Sequence, residues 1–147
     1  MRTFTKVSAR LIAAVLAFAS IATVAEAQDQ PHFAQVNVPF AFETATGQHL
    51  QPGLYKISLT GMHSIMLRNA TDGALIMIGE ETMDSQPAVQ GKAVFTHYGN
   101  SYYLRSLTAT GSARRFLFGP SKAERKLQVA AGTSAETMEL AVLQNGR

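Results

Sequence analysis

Cysteine and tryptophan are both absent from this 147-residue chain. Without cysteine there is no disulfide framework, no thiolate metal site and no cysteine nucleophile. Stability must come from packing alone. Without tryptophan the strongest ring for stacking on carbohydrate is missing, although tyrosine can substitute. The chain also lacks a G-x-S-x-G elbow, a G-x-G-x-x-G loop and a Walker A loop. Its four histidines, His32, His49, His63 and His97, show no HxH or HExxH spacing, so no metal is expected. Glu80 and Glu81 are adjacent and would face opposite ways on a strand, and neither Glu43 nor Asp84 has an assignable partner. No catalytic residue and no cofactor follow from the sequence.

The N-terminus carries the strongest positive signal. Arg2, Lys6 and Arg10 precede an uncharged apolar run from Leu11 to Ala25, and Ala25-Glu26-Ala27 has the small-x-small cleavage pattern. The run falls short of the ~20 residues that cross a bilayer core as a helix. Residues 1–27 are therefore expected to be a signal peptide. Residues 28–147 are expected to form one exported domain, in the periplasm or outside the cell. No later run is long enough to span a membrane. Removing Arg2, Lys6, Arg10 and Glu26 from 13 basic and 10 acidic residues leaves 10 and 9, so the basic character sits mostly in the leader. Nucleic-acid binding, which needs clustered positive charge, is not expected.

Beyond the leader, short apolar alternations recur between turn signals, the pattern of an all-β sandwich or flattened barrel. Val36, Val38, Phe40 and Phe42 share one parity in Phe33–Thr44, and Pro39 marks that strand as an edge or a bulge. Leu54–Thr60 places Tyr55, Ile57 and Leu59 inward. Ser64–Asn69 places Ile65 and Leu67 inward, and Thr71-Asp72-Gly73 makes a tight turn. Ala74–Thr82 begins as a continuous apolar run, as in a strand buried on both faces. Lys92–Tyr98 and Ser101–Thr108 make a hairpin about Gly99-Asn100, with Tyr98 opposite Ser101, His97 opposite Tyr102 and Phe95 opposite Leu104. Ala113–Phe118 is a further strand. Ser121 and Glu124 form a capping box for a helix over 120–131, stopped by Gly132, with Ala123, Leu127 and Ala131 as its apolar stripe. Glu136–Gln144 alternates as a last strand, although its composition also permits a helix. Seven to eight antiparallel strands and one short helix are expected.

The segments VNVPFAF (Val36 to Phe42), LQPGLYKI (Leu50 to Ile57), LRNATDG (Leu67 to Gly73), VFTHYGNSYYL (Val94 to Leu104) and SKAERKL (Ser121 to Leu127) occur in that order. As a set they resemble the small exported β proteins abundant in soil acidobacteria, which carry no assigned activity. Ala41 stands where that pattern has an acidic residue. The resemblance implies an extracytoplasmic β domain and no established catalytic residue or ligand.

The densest polar-aromatic group is His97, Tyr98, Tyr102, Tyr103 and Arg105. It is the candidate ligand-binding surface, with ordinary cross-strand stabilisation as the plainer reading. Arg114, Arg115, Lys122, Arg125 and Lys126 form a local basic cluster that a solvated surface explains. Three functions remain in order. The first is a non-catalytic envelope or extracellular structural or interaction module, pairing with another protein through an edge strand such as Phe33–Thr44. The second is a small-ligand binder using a barrel mouth or the His97/Tyr103/Arg105 surface. The third is an unrecognised hydrolase or isomerase.

Overall fold

Period-two alternation dominates the chain, and the computed structural model, which describes residues 34–132 and 135–144, is accordingly mostly strand. The expected leader, residues 1–27, lies outside the described residues. The strands are β1 (Ala34–Val38), β2 (Phe42–Glu43), β3 (His49–Leu50), β4 (Gly53–Leu59), β5 (Ser64–Asn69), β6 (Gly73–Ile78), β7 (Glu80–Met83), β8 (Gly91–Tyr98), β9 (Ser101–Thr108), β10 (Arg114–Leu117) and β11 (Glu136–Gln144). One helix, α1 (Lys122–Ala131), stands between β10 and β11.

All eleven strands belong to one sheet, curled into a half-barrel; nine of them run in the order β3-β2-β9-β8-β11-β1-β4-β5-β6, and β7 and β10 lie off that row. The curl brings its ends together. After β6 the chain passes through Gly79 into β7, which pairs with β10, and β10 pairs with β9. The outer edge of β9 is therefore shared. Its first half meets β2 in a parallel pairing of Glu43 with Tyr103, and its second half meets β10 from Ser106 to Thr108.

Several expectations hold. The β8/β9 hairpin has the expected register about Gly99-Asn100, with Gly99 left-handed (φ 59°) as a tight two-residue turn requires. The C-terminal segment is a strand, inserted between β8 and β1. Ser121 caps α1, its Oγ accepting from the Glu124 N–H at 3.1 Å, and Gly132 ends the helix in the left-handed region.

Others are corrected. Eleven strands form where seven to eight were expected, because turns and kinks cut the expected runs. Phe33–Thr44 is not one strand. Pro39 lacks an N–H, and the ladder breaks between β1 and β2. Nor is it an edge, since β1 pairs with both β4 and β11. Ala74–Thr82 is not buried on both faces. Ala74, Ile76 and Ile78 point outward, and only the other parity, Leu75 and Met77, turns inward. Leu59 ends β4 exposed while Ser58 is buried. On α1, Ala123 faces solvent, and the helix instead turns Ser121, Glu124 and Leu127 toward the sheet.

Val36, Val38, Phe42, Tyr55, Ile57, Ile65, Leu67, Phe95, Leu104, Leu107 and Val142 fill the interior. Rings link across it: Phe95 meets Phe40 and Phe42 edge-on at 5.2 Å, and Phe42 meets Tyr55 at 5.4 Å. The void among these side chains is about 10 Å³, at the lower limit for one water.

Candidate functional site

The candidate residues sit at the end of the β8/β9 hairpin, but the strand geometry divides them. Successive residues face opposite sides of a sheet. On one side Tyr102 stacks between His97 (5.1 Å) and Phe40 (3.9 Å), extending the aromatic core outward. His97 Nε2 lies 3.1 Å from Glu136 Oε2 on β11. On the other side Tyr98 meets the buried Tyr103 ring edge-on at 6.0 Å. Burial pushes the Tyr103 phenol above its usual pKa, and the charge of Glu43 adds to the push.

Arg105 belongs to neither face of a regular ladder. Phe95 pairs with Leu104 and Val94 with Ser106, so Arg105 is the extra residue of a β-bulge. The bulge reverses parity, which is why both Leu104 and Leu107 reach the core. It also falls where the β9 edge passes from β2 to β10. There Arg105 O accepts from Phe118 N–H at 2.8 Å, and Arg105 Nη1 donates to Phe118 O at 3.1 Å. Arg105 Nη2 forms an ion pair with Glu124, a carboxylate only 1% exposed. Beyond that guanidinium the Glu124 oxygens meet no hydrogen-bond donor among the described residues. Burial holds the Arg105 pKa below its usual value.

The cluster continues through Ser121, whose Oγ donates to Glu43 Oε1 at 2.7 Å. Glu43 Oε2 lies 3.5 Å from Nε2 of the exposed His49. Serine, glutamate and histidine thus meet, but in an order that cannot activate a nucleophile. The serine bonds to the carboxylate, not to the imidazole, and its oxygen is buried as a helix cap. These contacts fasten α1 to the sheet with polar groups where its sequence offers few apolar ones.

A second constellation joins the turns of LQPGLY and NATDG. Asp72 Oδ2 accepts from Gln51 N–H (2.9 Å) and Asn69 Nδ2 (3.1 Å), and Asp72 N–H donates to Asn69 Oδ1 at 2.6 Å. The Tyr55 hydroxyl lies 2.5 Å from Gln51 O and 2.9 Å from Asp72 Oδ2, two acceptors for one proton. Burial works to raise the Asp72 carboxyl pKa, but the bonds from Gln51, Tyr55 and Asn69 outweigh it and hold it below the usual value. Burial, then the bond to Asp72 and its charge, push the Tyr55 phenol well above its own. The knot locks two loops together.

A cleft of about 150 Å³ opens at the hairpin tip, lined by Ala41, Phe42, Glu43, His49, Asn100, Ser101, Tyr102 and Tyr103. Of the five candidates it takes Tyr102 and Tyr103. No group of three histidine or acidic residues suited to a metal occurs among the described residues. Two of the five residues of the basic cluster face acidic partners: Arg114 Nε lies 3.3 Å from Glu81, and Arg115 Nη2 lies 2.7 Å from Asp84. No helix among the described residues is long and apolar enough to cross a membrane.

Sequence reasoning found no partner for Glu43 and read Glu124 as a cap. One signal for Glu43 was available, a carboxylate directly after an apolar alternation that carries its neighbours into the core. No protein-family model, curated protein or solved structure matches this chain at a significant level.

Proposed function

We propose that this chain is an exported, non-catalytic structural or interaction module of the cell envelope or the extracellular space. The filled interior carries the reading. A β domain that stores a small ligand inside needs a cavity of hundreds of cubic ångströms, and the void here is about 10 Å³. The buried polar groups support it too, because Ser121, Glu124 and Arg105 are engaged with one another, with Glu43 and with the backbone. The leader pattern and the resemblance to exported acidobacterial β proteins supply the location. In this reading β6 and β7 count as one strand bent at Gly79 and the half-barrel is taken as a flattened barrel of eight strands, which the pairing of β7 with β10 and of β10 with β9 supports.

A second reading, a small-ligand binder, has one observation in its favour. Glu43 lines the hairpin-tip cleft beside Tyr103 and His49. A thermal-shift screen against metals, sugars, nucleotides, lipids and cell-wall fragments separates the two, since a ligand of the folded state raises the melting temperature. The module reading expects a cooperative melt that no compound moves. A dose-dependent rise that disappears in His49→Ala would transfer the function to the cleft.

A further inference from the structure

Glu43 pairs with His49 on β3 and with Tyr103 on β9. Directly opposed residues point to the same face, so the three side chains stand in one row across β3, β2 and β9. The hairpin-tip cleft of about 150 Å³ opens on that row, with Asn100 and Ser101 among its other walls. That volume is below the ~300–1,000 Å³ of a pocket for a drug-sized ligand. It suits one side chain or one small molecule.

Charge chooses the class of ligand. Glu43 is 6% exposed, and a buried carboxylate is costly unless it is paired. Its two oxygens differ. Oε1 accepts from the Ser121 hydroxyl at 2.7 Å. Among the described residues Oε2 has only Nε2 of His49, at 3.5 Å, longer than an ordinary N–H···O bond. The His49 side chain is itself 78% exposed and charged only when protonated. No lysine or arginine lines the cleft, so a cation is its complement and an anion is repelled. A metal ion lacks a third acidic or imidazole ligand among the described residues. A guanidinium prefers both oxygens of a carboxylate, and Oε1 is taken. An ammonium is a point charge that one oxygen can hold, and Ala41 and Tyr103 offer walls for its alkyl stem.

We propose that the hairpin-tip cleft binds one alkylammonium group through Glu43 Oε2. A lysine side chain of a partner polypeptide and a free alkylamine share that chemistry. The inference rests on the reading of the cleft as a binding site.

Two-dimensional NMR of the purified protein tests it, following the amide signals of Asn100, Ser101 and Tyr103. The probes are the blocked tripeptide Gly-Lys-Gly and butylamine, with norleucine in place of lysine as the uncharged control. Saturable shifts are expected with at least one amine and none with the control. The tighter amine names the source, a partner's lysine or a free alkylamine. Blocked Gly-Arg-Gly should bind more weakly than the lysine peptide. Glu43→Gln keeps an acceptor for Ser121, so the fold stands, and it should weaken binding about tenfold or more. His49→Lys, at an exposed position, sets the chain's own ammonium beside Oε2 and should block the cleft. No saturation by about 10 mM, equal shifts with the norleucine control, arginine bound as tightly as lysine, or binding indifferent to both variants overturns the proposal. Silent amines with a melt that another compound raises, and that His49→Ala silences, remove only the ammonium assignment. Silent amines with a melt that no compound moves remove the cleft reading itself.

Discussion

Arg105 shows what one residue can decide here. As the bulged residue of β9 it holds Phe118 by two hydrogen bonds and neutralises the buried Glu124. Removing one partner of a buried pair leaves a charge uncompensated, which costs about 3 kcal/mol or more. Arg105→Met should therefore lower the unfolding free energy by that amount, seen as a lower urea midpoint at unchanged slope, and Arg105→Met with Glu124→Leu should recover most of it. Three other residues set the pH limits. The Asp72 pKa is lower folded than unfolded. Its contribution is full above the unfolded value near 3.9 and is lost as pH falls through the folded value, because the unfolded chain then binds more protons. The Tyr55 and Tyr103 pKa values are higher folded than unfolded. Their contribution is full below about 10 and is lost as pH rises toward the folded values. Melting temperature against pH should thus fall at both ends, and Asp72→Asn should flatten the acid arm.

At the scale of elements, local signals were legible where local chemistry decides. Gly99-Asn100 made the hairpin register readable, and Ser121 with Glu124 and Gly132 bounded α1. The bulge at Arg105 was not readable, because no residue type marks it. It forms where β9 must serve two neighbours at once. The outward turn of Ile76 and Ile78 was also hidden, since an apolar run has no visible parity. Gly91 is another element-scale requirement. A Cβ there would lie 2.5 Å from Thr110 N and 2.6 Å from Thr108 O, backbone atoms that cannot step aside. Gly91→Ala should cost about 1–3 kcal/mol by overpacking, seen as a lower denaturation midpoint. Gly73→Ala meets no such crowding, and its cost comes only from the left-handed turn it occupies (φ 76°).

For the whole molecule, one sheet wraps one core, so unfolding should be a single transition. Phe95, 1% exposed and touching both Phe40 and Phe42, sits at the centre of that core. Phe95→Ala should cost about 3–5 kcal/mol, with fluorescence and circular dichroism midpoints remaining coincident. The candidate site was legible only in part. Parity placed Tyr102 with His97 and Tyr103 with Tyr98, as found. What each pair meets depended on Phe40, Glu43 and Glu124, which arrive from distant parts of the chain. By itself the sequence determined the β class, the hairpin register, the helix and its caps, because alternation, turn residues and capping act over a few neighbours. Only the tertiary structure decided that β1 is interior, that β6 ends the row of described strands and that Glu43, Ser121, Glu124 and Arg105 form one cluster. Those outcomes depend on which strands meet across long loops, and pairing between distant segments leaves no local mark.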